Sequence, residues 1–153
     1  MNGVIGNNLL AQVGFIVRDL EATKKKFAEF FGVPVPENVD AGDYAITQTE
    51  YKGEKAPDAH CTMAFFDVGP TIRIELIQPT EAPSTWREFL DTHGEGMHHL
   101  AFRVKGMQQA IENCQEFGMT LEQRGEYNTG TGRYAYMDAS KDLKFILELL
   151  END

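Results

Sequence analysis

Two short stretches of the chain carry the same alternation of apolar and polar positions. Gln12-Val13-Gly14-Phe15-Ile16-Val17 puts Val13, Phe15 and Val17 on one side of an extended backbone and Gln12, Gly14 and Ile16 on the other. His98-His99-Leu100-Ala101-Phe102-Arg103-Val104 repeats the pattern, with Leu100, Phe102 and Val104 opposite His99. Each predicts a strand that leads into an amphipathic helix. In the first half, Asp19 supplies a short capping acceptor, and Leu20, Phe27, Phe30 and Phe31 recur at helical spacing up to Gly32, with Pro34 as a stop. In the second, Met107, Ala110, Ile111, Cys114 and Phe117 do the same up to Gly118.

Further strands follow in each half. Tyr44 to Tyr51 is rich in threonine and tyrosine and reads as a strand, with a polar turn from Lys52 to Ala59. Cys61 to Val68 and Ile72 to Gln78 flank the turn dipeptide Gly69-Pro70. Thr120 to Tyr127, Gly132 to Asp138 and Leu143 to Leu150 complete the chain. The order β-α-β-β-β therefore occurs twice. One offset that lays Gln12 on His99 also lays Val17 on Val104 and Leu20 on Met107, and Ile74-Glu75-Leu76-Ile77 matches Leu147-Glu148-Leu149-Leu150. Duplication at so long a period indicates paired modules and not a solenoid. Module one covers about residues 8–79 and module two about 96–151. The linker between them, about 80–95, holds a short helix in which Thr85 and Glu88 have the spacing of a capping box.

Composition narrows the class. A chain of 153 residues fits one α+β domain in which the two modules share a structure, because halves of about 75 residues are small for independent stability. A formal net charge of −10 sets its field against nucleic acid and anionic membrane. An anionic small-molecule substrate is compatible with that charge if local basic groups act within a Debye length of about 8 Å. No apolar run reaches the roughly 20 residues needed to span a bilayer, and the two cysteines, Cys61 and Cys114, lack ligand-like spacing. With no secretory signal before the first strand, the expectation is a cytoplasmic protein with free thiols. No glycine-rich phosphate cradle, nucleophile elbow or cysteine–histidine signature is present.

The candidate chemistry comes from strand phase. Gln12, Glu75, His99 and Glu148 each lie opposite an uninterrupted apolar face in their own strands. A lone glutamate in such a strand is compatible with simple exposure to solvent, but two in matching contexts, in phase with a histidine and a glutamine, define a candidate metal set. With two carboxylates, an amide oxygen and an imidazole, the set suits one divalent first-row ion such as zinc, nickel, cobalt or manganese. Strict alternation turns the adjacent His98 toward the packed side as a structural residue. Arg73 and Arg103 share the cavity face, where they would bind a substrate carboxylate or pair with acidic neighbours. Arg133 and Tyr136, beyond the glycine–threonine loop at 128–132, are candidates for the substrate mouth, and Glu50 for a second acid–base group.

The segments AQVGFIVRDLEATKKKF, IRIELIQP, GEGMHHLAFRV and KFILELLE together resemble the vicinal oxygen chelate superfamily, which includes glyoxalase I, methylmalonyl-CoA epimerase, extradiol dioxygenases and bleomycin-resistance proteins. The resemblance implies paired βαβββ modules with curved mixed sheets around a metal-binding cleft, and a homodimer. It carries the four metal ligands onto Gln12, Glu75, His99 and Glu148. This ligand set is similar to some glyoxalase I enzymes, whereas GEGMHHLAFRV looks closer to the epimerases. Asp138-Ala139-Ser140-Lys141-Asp142 departs from the His-Pro-Lys segment of epimerases. The expected activity is metal-dependent isomerisation or epimerisation by proton transfer next to a carbonyl, with Glu148 as base assisted by Glu75 or Glu50. The substrate would be an acyl-CoA or, as the alternative, the glutathione thiohemiacetal of lactoylglutathione lyase. A non-catalytic protein that sequesters a small ligand is the rival from another class.

Overall fold

The computed structural model describes residues 2–153. Module one contributes β1 (Leu10–Ile16), α1 (Leu20–Phe31), β2 (Val39–Asp40), β5 (Cys61–Val68) and β6 (Ile72–Pro79). Between β2 and β5 the chain makes a helical turn, α2 (Tyr44–Thr47), and a small hairpin, β3 (Glu50–Tyr51) and β4 (Glu54–Lys55). Helix α3 (Thr85–His93) links this to module two, formed by β7 (Gly96–Arg103), α4 (Met107–Phe117), β8 (Thr120–Glu126), β9 (Gly132–Asp138) and β10 (Ile146–Asn152). The strands form one mixed, curled sheet in the order β2-β5-β6-β1-β7-β10-β9-β8-β3-β4, an α+β half-barrel.

The alternation of each strand decides which side faces a helix. Phe15, Ile74 and Leu76 join Ala64 and Phe66 beneath Leu20 and Ala28 of α1. Phe102, Leu147 and Leu149 join Ala135 and Met137 beneath Met107, Ala110, Ile111 and Cys114 of α4. These are the faces left apolar by the phase of Gln12, Glu75, His99 and Glu148. Helix α1 starts where the Asp19 carboxylate accepts the Ala22 amide hydrogen and stops at Gly32, whose φ of 69° allows its N–H to reach back to Ala28 and Glu29 carbonyls. On the concave side, Trp86 and Leu90 of α3 close one end of the barrel over Ile16, Cys61, Ile77 and Tyr136.

Two local expectations are corrected. The stretch from Tyr44 to Tyr51 is not a strand: it forms α2, passes through Gln48 at a φ of 46°, and keeps only Glu50-Tyr51 extended. On one side these two residues pair with β4 in the hairpin, and on the other with β8 of module two, Glu50 opposite Arg124 and Tyr51 opposite Gln123. Tertiary context has overridden local β propensity over Tyr44–Thr47. The helix cap of α3 is Ser84, whose hydroxyl accepts the Arg87 amide hydrogen, so Thr85 is the first helical residue and no capping box forms. Glu88 instead accepts hydrogen bonds from the Tyr51 hydroxyl at 2.6 Å and the Lys52 ammonium at 3.0 Å, tying α3 to the hairpin.

Leu149 is fully buried under α4. Replacing it with alanine is expected to lower stability by about 2–5 kcal/mol, measured by denaturant unfolding; an unshifted midpoint would contradict this packing.

Candidate metal centre

Four strands meet at the middle of the concave face. In register, Gly14 of β1 lies beside Glu75 of the parallel β6 and opposite His99 of the antiparallel β7, while Gln12 lies beside Arg73. Across β7, the parallel β10 carries Glu148 beside Ala101. The His99 ring occupies the space left by the missing side chain at Gly14, where a Cβ would approach its Cε1 to 1.9 Å. Glycine is needed here for close approach and not for backbone freedom.

Glu75, His99 and Glu148 are buried, and one ligand atom from each lies within 4.8 Å of the others. His99 Nε2 is 3.0 Å from a Glu148 oxygen and 3.5 Å from a Glu75 oxygen. Among the described residues, Gln12 Oε1, Glu75 Oε1, His99 Nε2 and Glu148 Oε2 are all buried without a hydrogen-bond partner. Buried polar atoms are rarely left so, and four electron-pair donors left so in one place fit a shared cation. Burial, and then the neighbouring Glu148 charge, push the Glu75 carboxyl above the usual carboxylate range, against the opposing pull of His99 and Arg73. For His99, burial favours the neutral ring, but the two carboxylates outweigh it and raise its affinity for a proton. A divalent ion would replace these protons and remove the cost of the adjacent buried acids.

Gln12, Glu75 and Glu148 stand on the wall of a cavity of about 410 Å³, with His99 just behind them. Its deep end is lined by Cys61, Trp86 and Tyr136, and the Trp86 indole N–H donates to the Tyr136 hydroxyl at 3.0 Å. Thr47 and Thr49, brought inward by the α2 turn, add a polar side. Arg103, Thr129 and Asn152 form an exposed rim. Arg73 lies half-exposed over the Phe65 ring at 4.1 Å, and its buried Nε, which makes no hydrogen bond among the described residues, forms an ion pair with Asp67 at 3.5 Å.

The remaining sequence candidates lie elsewhere. Glu50 is exposed on the hairpin, outside the cavity lining, because β3 pairs at the far edge of the sheet. Arg133 is also outside the lining: it pairs with Glu126, Glu151 and Asp153, and Glu151 in turn accepts the Gly106 and Met107 amide hydrogens at the start of α4. That arginine braces a helix end.

His98 departs from strict alternation. One step along β1, from Gly14 to Phe15, matches two along β7, from His99 to Met97, so His98 is the extra residue of a β-bulge. Both imidazoles consequently pack against the Tyr136 ring, at centroid distances of 5.5 and 5.2 Å. Sequence reading also missed Gln123. Fully buried on β8, it accepts from the Thr85 amide and donates to the Tyr134 hydroxyl; a polar residue in a short strand gave no signal of this.

The curled, twice-repeated half-barrel carries on its concave face a buried carboxylate–imidazole set that could hold a metal ion. The chain belongs to the glyoxalase/bleomycin resistance protein/dioxygenase superfamily, whose family model matches residues 11–137. It is similar to the uncharacterised protein YqjC of Bacillus subtilis, 26% identical over 99 residues that span 64% of this chain and 70% of that one. Among solved structures it is similar to methylmalonyl-CoA epimerase from Mycobacterium tuberculosis (TM-score 0.64, 20% identity, 94% of this chain and 87% of that one). A Streptomyces coelicolor methylmalonyl-CoA epimerase variant in complex with 2-nitronate-propionyl-CoA has a TM-score of 0.65 at 17% identity, with 94% and 96% covered.

Gly14→Ala should displace the His99 ring. Thermal unfolding of chelator-treated protein with and without added zinc is expected to show a rise in the midpoint for the native sequence and a much smaller rise for the variant. An equal rise in both would remove His99 from the metal set.

Proposed function

We propose that the protein is a divalent-metal-dependent isomerase or epimerase that moves a proton on the carbon next to a carbonyl. The observation that carries this reading is the pair of buried carboxylates, Glu75 and Glu148, on one cavity wall with unpartnered oxygens beside an imidazole. Gln12, Glu75, His99 and Glu148 would hold the ion, and a bound ion would supply Lewis-acid polarisation of the carbonyl oxygen. Glu148 takes the proton from the carbon. Glu75, on the other side of the β1–β7 pair, is the second acid–base group, so that the proton can be removed on one face and restored on the other. The apolar floor of Trp86 and Tyr136 excludes water from this transfer.

For the substrate we favour an acyl-CoA thioester. The Streptomyces epimerase structure contains 2-nitronate-propionyl-CoA, and a cavity of about 410 Å³ accommodates a short acyl group while the coenzyme extends past the mouth. Arg73 and Arg103 would bind an acyl carboxylate or a coenzyme phosphate there, which offsets the repulsion of an acidic chain locally. The glutathione thiohemiacetal of methylglyoxal would use the same proton transfer and is the alternative substrate.

Metal-loaded protein is expected to exchange the α-hydrogen of methylmalonyl-CoA with deuterated water. Glu148→Gln should lower that rate by about 10²–10⁴-fold with the fold retained; an unchanged rate would exclude Glu148 as the base. Turnover of the thiohemiacetal in place of the thioester would move the assignment to the lyase. Silence with both substrates would favour a ligand-sequestering protein.

A further inference from the structure

His98 is neither on the cavity wall nor in the cluster beneath α4 that takes in Phe102. The bulge in β7 seats it between the candidate metal centre and the first turn of α3. Its Nδ1 lies 3.0 Å from Nδ1 of His99, and its Nε2 lies 3.3 Å from the Thr85 hydroxyl oxygen; both rings are buried. Two ring nitrogens at hydrogen-bond distance can share only one proton between them, so the contact admits two arrangements. If His98 donates, a neutral His99 carries its remaining proton on Nε2, 3.0 Å from a Glu148 oxygen, and that nitrogen then has no electron pair for a metal. If His99 donates from Nδ1, its Nε2 keeps a free electron pair beside the unpartnered oxygens of Gln12, Glu75 and Glu148, and a neutral His98 donates from Nε2 to Thr85. Only the second leaves His99 Nε2 free to ligate a metal.

We propose that His98 is a positioning residue that holds His99 in the tautomer able to ligate a metal, with Thr85 fixing His98 from the start of α3. This rests on the reading of the site as a metal centre and assigns a function to the histidine that does not face the ion. The bond from the ligating ring is the kind of support that commonly sets ligand orientation and basicity in metal sites. Here the supporting group is itself an imidazole, and in the ligating arrangement its Nε2–H donates to the Thr85 hydroxyl oxygen while its Nδ1 accepts from His99. The line continues from the Thr85 amide through the Gln123 side chain to the Tyr134 hydroxyl, which gives the relay a fixed anchor in module two.

The test uses zinc as the probe. In ¹⁵N-labelled, zinc-loaded protein, nuclear magnetic resonance should detect coupling across the hydrogen bond between the two Nδ1 atoms, with the proton bonded to His99. A proton bonded to His98 Nδ1 in a protein that binds zinc would overturn the relay while leaving the metal site intact. Failure of the native chain to bind zinc would overturn the metal reading itself. His98→Leu should weaken zinc binding by about 10–100-fold in competition with a chelator. His98→Asn, whose amide oxygen stands in for Nδ1 as acceptor, should recover most of that loss. Equal zinc affinity in folded His98→Leu and native protein would refute the proposal. Should His98→Leu fail to fold, Thr85→Val carries the test: weakened zinc binding supports the relay, and unchanged affinity refutes it.

Discussion

The seam between β1 and β7 is the constraint on which the rest of the molecule depends. It is antiparallel, whereas the partners on its two outer sides, β6 and β10, run parallel to their neighbours. This places equivalent strands of the two modules side by side and brings the glutamate-bearing strand of each to a flank of the seam. At its centre one residue is glycine and its partner is histidine. A side chain at position 14 would occupy the volume of the imidazole, and the two carboxylates would lose the group between them.

How much of this was legible in the sequence follows from how local each determinant is. Alternation is a property of a few consecutive residues, so the shared phase of Gln12, Glu75, His99 and Glu148 could be read without knowing the pairing, and so could the apolar faces under α1 and α4. The βαβββ repeat was legible for the same reason. A bulge depends on register between strands far apart in the chain, and the alternation that correctly placed His99 therefore misplaced His98. The threonine-rich stretch around Tyr44 was misread because tertiary context overrides local β propensity over Tyr44–Thr47. Arg133 illustrates a further limit: nothing in its own neighbourhood announced that Glu151 and Asp153 at the end of the chain would engage it.

The site combines opposite electrostatic demands within a short distance. Its interior concentrates acids that a cation would balance, while two arginines line the cavity toward the mouth of a strongly acidic protein. Long-range attraction is not what brings an anion to such a place; short contacts with guanidinium groups must do so after encounter. The aromatic floor has a different effect. Burial here raises the proton affinity of the Glu75 carboxyl.

The hairpin formed by β3 and β4 leaves module one and finishes the sheet at the edge of module two, so strands from the first half of the chain stand at both ends of the ten-strand order. A chain laid out this way resembles a clasp more than two beads. The second half by itself would present β8 as a bare edge, with unpaired backbone groups open to addition of strands from other molecules. The loan of one short hairpin covers that edge of module two with residues of module one.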